Sequence, residues 1–377
     1  MTEEMSQGYV KRSTQAIINL KAIEHNITEI RKKVGTRRDL LAVVKANGYG
    51  HGAIEVSRVA LRSGASCLGV ALPEEGGQLR KAGIDVPILV LGLIQPEEAA
   101  KVVDFRLGQN VNSLELVEAL NQEAGKASIR IHVHIKVDTG MSRIGIKPEE
   151  TLAFVRKIQQ YTNLHLEGIF SHFSCADEVD LTFARKQLQV FNSLVREIEA
   201  AGIHIPKKHF ANSAAILVLP EAYLDLVRPG ISIYGLYPSP EVRRTIPLQP
   251  AMTFKTKIAF LKSVPAGTPI SYGRTHHTQG DTRVATLAVG YADGYSRLLS
   301  NRGSVRIKGR RAPVIGRVCM DMIMVDVSAI PEVRPGEEVI LFGEDPSVEE
   351  IAQKTGTINY EILCGISQRV PRIYIHE

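Results

Sequence analysis

Residues 41–52 read Leu41-Ala42-Val43-Val44-Lys45-Ala46-Asn47-Gly48-Tyr49-Gly50-His51-Gly52: a short apolar run ends on a lysine and enters a loop with three glycines. Such a run, bounded by polar and glycine residues, reads as a buried strand. The pattern recurs at 67–71, 88–91, 108–112, 131–136, 166–171, 208–211 and 226–234, with helix-like stretches between. Pro73-Glu74-Glu75 and Pro96-Glu97-Glu98 open two of those helices, because proline has no N–H to lose in a first turn and the acids there face the positive end of the helix dipole. Eight strand and helix units predict an α/β fold with a closed (β/α)8 TIM-type barrel. An open doubly wound sheet shares the alternation, and the count of eight favours the barrel.

Beyond Pro250 the alternation stops. β-rich stretches at 253–264, 283–292, 304–318, 322–327 and 337–342 follow, punctuated by turn signals such as Lys308-Gly309 and Arg334-Pro335-Gly336. The expected organisation is a barrel over 1–245 and a mostly antiparallel β domain over 246–377. The run 15–20 precedes the first barrel unit and is a candidate extra strand of the β domain.

Composition excludes several classes. The 377 residues are 44% hydrophobic and 23% charged, values of an ordinary globular chain. Forty-six Lys and Arg against forty Asp and Glu give +6, but the basic residues are scattered, so no nucleic-acid partner is expected. The longest apolar run, 86–94, is far short of the roughly 18 residues of a bilayer span. Two acids among the first seven residues do not fit a signal peptide, so a cytoplasmic protein is expected. Cys67, Cys175, Cys319 and Cys364 lie too far apart for a zinc site or redox dithiol; reduced thiols and no metal are expected.

In a barrel, functional side chains project from the carboxyl ends of the strands. Lys45, Lys136, Asp138, His172, Asn212 and Arg228 occupy those places. Lys45 either snorkels to solvent or serves as a desolvated amine nucleophile. Asn212-Ser213-Ala214 and Pro229-Gly230-Ile231 follow runs seven and eight, the usual phosphate position in barrels; Ser213 fits phosphate binding or a plain helix cap. Tyr272, in a polar bend, fits packing or function.

Beyond these separate readings, residues 42–52 closely resemble the cofactor-lysine motif of the alanine racemases. Residues 137–145, 171–173, 211–214, 228–230, 271–273, 290–295, 319–321 and 358–361 resemble that family's other blocks, in its order, over almost the whole chain. The resemblance implies a pyridoxal 5'-phosphate racemase and a homodimer with shared sites, the β domain of each subunit completing its partner's. Lys45 would carry the cofactor as a Schiff base. Tyr49, Asn212, Ser213, Gly230, Ile231 and Tyr360 would bind it, largely at the phosphate. Arg228, positioned by His172, would face the pyridine nitrogen, and Arg143 the phenolic oxygen. Tyr272 would be the second acid/base group, with Met320, Cys319 and Asp321 near the substrate carboxylate. Lys136 matches a position that some members carry carbamylated; an ion pair with Asp138 is the plain alternative.

The implied chemistry needs these residue types. Racemisation removes the α-proton on one face and returns one on the other, so two bases suffice, here Lys45 and Tyr272. Forming tyrosinate at pH 7 costs about 4 kcal/mol for a free tyrosine with pKa near 10, which a cationic neighbourhood reduces. An arginine at the pyridine nitrogen can only donate, which keeps the ring neutral and a weaker electron sink. A fold-related pyridoxal decarboxylase would want an acid there, and a barrel-only binding protein would lack Tyr272. A serine or broad-specificity racemase remains the rival, since pockets reject an added hydroxyl weakly. D-alanine for peptidoglycan or L-alanine for catabolism are the implied products. Two departures stand out: Gly48 replaces a common alanine and would loosen the lysine loop, and Gln368 replaces a common aromatic.

Overall fold

The computed structural model describes residues 12–376. They form two compact units, one of 21–249 and one joining the chain up to Leu20 to everything from Pro250 onward. After β1 (Gln15–Asn19), the first unit contributes β2 (Asp39–Val43), β3 (Cys67–Val70), β4 (Ile88–Val90), β5 (Gly108–Val111), β6 (Ile131–Lys136), β7 (Leu164–Phe170), β8 (Lys207–His209) and β9 (Leu226–Val227). Strands β2 to β9 are all parallel, in the order β8-β7-β6-β5-β4-β3-β2-β9. Asp225 and Arg228 donate their N–H groups to the carbonyls of Lys208 and Ala211, bringing the sheet's two edges together. The eight strands thus form a nearly closed TIM-type barrel with helices between them, as the alternation predicts.

Local signals set the helix starts. Pro73 begins the helix Pro73–Lys81, and Glu75 accepts the N–H of Leu72. Ser113 caps Leu114–Lys126 by accepting from Leu116 N. Pro96–Glu98 is a 3-10 turn that leads into Ala99–Asp104. Strand interiors are buried on both faces: Leu40, Leu41, Leu68, Val90 and Val133 have essentially no exposure, as a parallel sheet under helices requires.

The run at 226–234 departs from its sequence reading. The strand stops at Val227, Arg228 lies just past its end, and Ile231–Tyr234 forms a 3-10 turn. Pro229 offers no N–H to a ladder and so breaks a run whose hydrophobicity continues.

The second unit contains β10 (Met252–Val264), β11 (Pro269–Ile270), β12 (His276–His277), β13 (Thr282–Leu287), β14 (Ser304–Ile307), β15 (Arg310–Pro313), β16 (Ile323–Asp326), β17 (Glu338–Phe342) and β18 (Arg372–Ile375). Its main sheet runs β15-β14-β17-β10-β1-β18, with β13 joining β10 to β16. Every pair is antiparallel except β1 with β18. The stretch 304–318 is a hairpin, turned at Lys308 (φ 48°) and Gly309 (φ 78°); two left-handed residues match the strand twist. The stretch 283–292 leaves the sheet after Leu287, and its backbone packs on residues 319–320, Tyr291 N donating to Cys319 O and Ala292 N to Met320 O. A β-carbon on Gly290 would lie 2.2 Å from Met320 O, so only glycine fits. Among the described residues, no helix is long and apolar enough to cross a membrane.

Candidate active site

Lys45 stands just past β2, half-buried, at the start of an unusual turn. Ala46, Asn47, Gly48, Tyr49 and Gly50 all have positive φ, between 50° and 82°. For a non-glycine residue this conformation costs about 1–2 kcal/mol, so the turn must be held. Glu75 holds it, accepting from Ala46 N at 2.6 Å and from Ala71 N at 2.7 Å. Asn47 Oδ1 accepts from Ala53 N at 3.0 Å. Gly48 does not loosen this loop: at φ 61°, with Ala53 backbone 3.3 Å from where a β-carbon would be, glycine removes strain.

A cradle suited to an oxyanion forms across the ends of β2, β8 and β9. The Tyr49 ring is buried against Tyr234, centroids 4.9 Å apart, and a β-carbon on Gly230 would lie 2.7 Å from Tyr49 Oη. Gly230 N donates to Ser213 Oγ at 2.8 Å, and Ser232 Oγ lies 3.0 Å from the same oxygen. The cap of the short helix Ser213–Val218 is Asn212, whose Oδ1 accepts from Ala215 N; this leaves the Ser213 hydroxyl in the cradle. Ile231 is fully buried at the start of the following turn. The donor set and the space that glycine leaves fit a phosphate group.

Arg228 is buried beside this cradle. Its guanidinium donates to His209 Nδ1 at 2.9 Å, Ser171 O at 2.8 Å and Phe210 O at 3.1 Å, and lies 3.4 Å from His172 Nδ1. Burial lowers its pKa to about 9, leaving it charged at neutral pH. Burial and the nearby cations Arg228, Lys136, Arg143 and Lys45 push His172 well below the usual imidazole range. Lys136, 4% exposed, is lowered to about 7, first by burial and then by Arg143 and Arg228.

Lys136 makes no ion pair with Asp138. The Asp138 carboxylate instead accepts the N–H groups of Gly140, Met141 and Ser142, which shapes the loop presenting Arg143. Those backbone N–H groups help to hold Asp138 below the usual carboxylate range.

In the β domain, Tyr272 sits between Ser271 (φ 66°) and Gly273 (φ 70°) and is 70% exposed. Ser271 Oγ donates to Arg317 O at 2.7 Å and lies 3.6 Å from Cys319 Sγ, so the bend and the Cys319–Met320 segment are neighbours. Met320 is exposed. Asp321 accepts from Arg369 at 2.6 Å, and Arg369 also pairs with the buried Asp293, as Arg12 does. Tyr360 lies in the helix Asn359–Cys364.

The sequence reading passed over several of these groups. Ser232 and Tyr234 were hidden in an apparent strand. His209 ends β8 with its side chain on the inward register of Lys207 and Ala211, and His134 shares that register with Lys136 on β6; period-2 alternation was the available signal.

Two family models match the chain: alanine racemase, N-terminal domain, over residues 18–238, and alanine racemase, C-terminal domain, over residues 251–374. An alanine racemase of Desulforamulus reducens is 50% identical over 369 residues, covering 97% of this chain and all of the relative. One of Halothermothrix orenii is 47% identical, covering 97% of each. The solved alanine racemase of Clostridium difficile superposes with a TM-score of 0.95 at 39% identity, covering 98% of this chain and 97% of that one. With both models matched in sequence order and relatives near half identical over their full length, the chain belongs to the alanine racemase family.

Proposed function

We propose that this chain is a homodimeric, cytoplasmic, pyridoxal 5'-phosphate-dependent enzyme that interconverts L- and D-alanine by two bases. The observation that carries the cofactor assignment is the cradle at Gly230, where Tyr49 Oη, Ser213 Oγ and the Gly230 N–H converge. Tyr49, Ser213, Gly230 and Ile231 would hold the phosphate, with Asn212 fixing the helix behind Ser213 and Tyr360 contributing from the β domain. Lys45 would bond the cofactor aldehyde. When bound, the cofactor withdraws electrons from the substrate α-carbon and so acidifies its proton.

The chain's own groups then handle that proton. Lys45 Nζ takes or returns it on one face and Tyr272 Oη on the other, so inversion requires both. Arg228 has only donors, and its buried partners fix its direction; facing the pyridine nitrogen, it would leave that nitrogen unprotonated. That favours racemisation over reactions needing a strong ring sink and argues against a decarboxylase. The exposed Tyr272 and Met320 suit a surface covered by a second copy of the chain. Arg143 would contact the phenolic oxygen and the substrate, and Met320, Cys319 and Asp321 would bound the carboxylate.

Lys136 as a carbamate fits this site. A buried amine with pKa about 7 is substantially unprotonated at neutral pH and can attack carbon dioxide, releasing one proton. The resulting anion lies among Arg143, Arg228 and Lys45, the charges that disfavoured its cation. The test of the proposal is alanine racemisation by the purified protein with and without cofactor: interconversion dependent on it supports the reading, and none with cofactor bound rejects it.

A further inference from the structure

Arg228 is a buried charge with no counter-charge in contact among the described residues. Its partners are two imidazoles and two carbonyls, and its face lies 5.2 Å from the Phe170 ring centroid. A buried charge left uncompensated is strongly destabilising. From Arg228 a line of polar groups crosses the barrel interior. His209 Nε2 is 2.9 Å from His134 Nδ1, and His134 Nε2 faces Glu167 Oε2 at 3.8 Å.

The guanidinium decides every proton along this line. It can only donate, so His209 Nδ1 holds a lone pair and the His209 proton is on Nε2. That proton is donated to His134 Nδ1, which leaves the His134 proton on Nε2, directed at the carboxylate. A single polarity satisfies both hydrogen bonds, and it runs from a cation toward the anion that His134 Nε2 faces at 3.8 Å. Burial lowers the pKa values of both imidazoles, and His132 and His134 hold Glu167 below the usual carboxylate range, with the Lys207 ammonium 3.5 Å away.

The backbone leaves room for this line. β6 and β8 are alternate barrel strands, which share layers of interior side chains. Between them β7 carries Gly168, where a β-carbon would lie 2.1 Å from His134 Nδ1. Glu167, His132, His134 and Lys207 line a cavity of about 650 Å³ at the amino-terminal ends of the strands, the end opposite the cofactor cradle. The two imidazoles are the polar groups that connect Glu167 to Arg228.

We propose that Glu167 and His134 are positioning residues for Arg228, holding His209 as its Nε2–H tautomer so that Nδ1 receives and orients the guanidinium. The functional part of this inference rests on Arg228 facing the cofactor, as proposed above; the tautomers do not depend on that reading.

The experiment is imidazole nitrogen NMR on histidine-labelled holoenzyme, with steady-state kinetics, for the native chain, Glu167→Gln and His132→Asn. The native spectrum should show His134 and His209 neutral and protonated on Nε2; a proton on Nδ1 of either, or a charged ring, overturns the proposal whether or not any variant folds. Glu167→Gln should move the His209 Nδ1 signal and lower kcat about tenfold, the lower end for losing a partner behind a directly acting group, with KM changed less. His132→Asn, which removes one partner of Glu167 but leaves His134 facing it at 3.8 Å and Lys207 at 3.5 Å, should move both readouts much less than Glu167→Gln does. A Glu167→Gln protein that melts lower but keeps the His209 signal and kcat would make Glu167 a structural ion pair only and would overturn the proposal. Loss of racemase activity in the native chain with the tautomers as stated would instead fault the functional reading.

Discussion

The hydroxyl of Tyr49 lies where a side chain on Gly230 would have to go: a β-carbon there would be 2.7 Å from Oη and 3.4 Å from Cζ. Two residues 181 positions apart thus define one small space, and Ser213 Oγ borders it through its bond from Gly230 N. Gly230→Ala should weaken cofactor binding by at least about tenfold, or about 1.4 kcal/mol, measured as a dissociation constant for pyridoxal phosphate. Adding Tyr49→Phe should recover part of the loss by removing the closest atom. An unchanged dissociation constant in Gly230→Ala would mean that the phosphate is held elsewhere.

Arg228→Glu reverses the donor at the pyridine nitrogen into an acceptor. Racemisation should fall by roughly 10²-fold, typical of losing one preorganised donor, while half-transamination and long-wavelength absorbance rise. An unchanged spectrum in a folded variant would contradict the role given to Arg228.

Lys136 provides a pH and carbon dioxide test. Its folded pKa, about 7, lies below the ordinary 10.5, so between those values the unfolded chain binds more protons than the folded one. In carbon dioxide-free buffer, stability should therefore rise with pH from about 7 toward 10.5 through this group. Activity should be low in that buffer and recover with bicarbonate, with a carbamate signal from labelled bicarbonate in carbon NMR. A Lys136→Met protein should show neither response.

Much of the fold was legible because its strands are short, β-branched and bounded by breakers, and because Pro73 and Pro96 begin helical turns where proline belongs. The segment 226–234 misled because hydrophobicity does not register a break that Pro229 imposes on hydrogen bonding. The sequence offered Ser213 as the helix cap, whereas the bond from Ala215 N gives that place to Asn212, a choice between adjacent polar side chains that the letters do not make. The His134 to His209 contact joins residues 75 apart through a gap left by Gly168, and such a meeting across a barrel leaves no mark in local sequence. Gly48 read as a loosening change because its left-handed backbone was not visible in the letters.

Shared sites can be tested by mixing. If Lys45 of one subunit works with Tyr272 of its partner, a dimer of a Lys45→Ala chain with a Tyr272→Phe chain holds one intact site and one doubly defective site. Random reassociation of two inactive variants should then restore about a quarter of native activity, since half the dimers are mixed and each has one of two sites. No restoration, with mixed dimers demonstrated by mass, would put both bases in one chain.

The most direct test of the two-base account is α-proton exchange in deuterium oxide by Tyr272→Phe, followed separately for L- and D-alanine. Tyr272 is exposed in the single chain, so folding should change by no more than about 0.5 kcal/mol. The account predicts that one enantiomer, the one served by Lys45, still exchanges its α-proton while neither enantiomer is inverted. Inversion at the native rate, or equal exchange of both enantiomers, would contradict it.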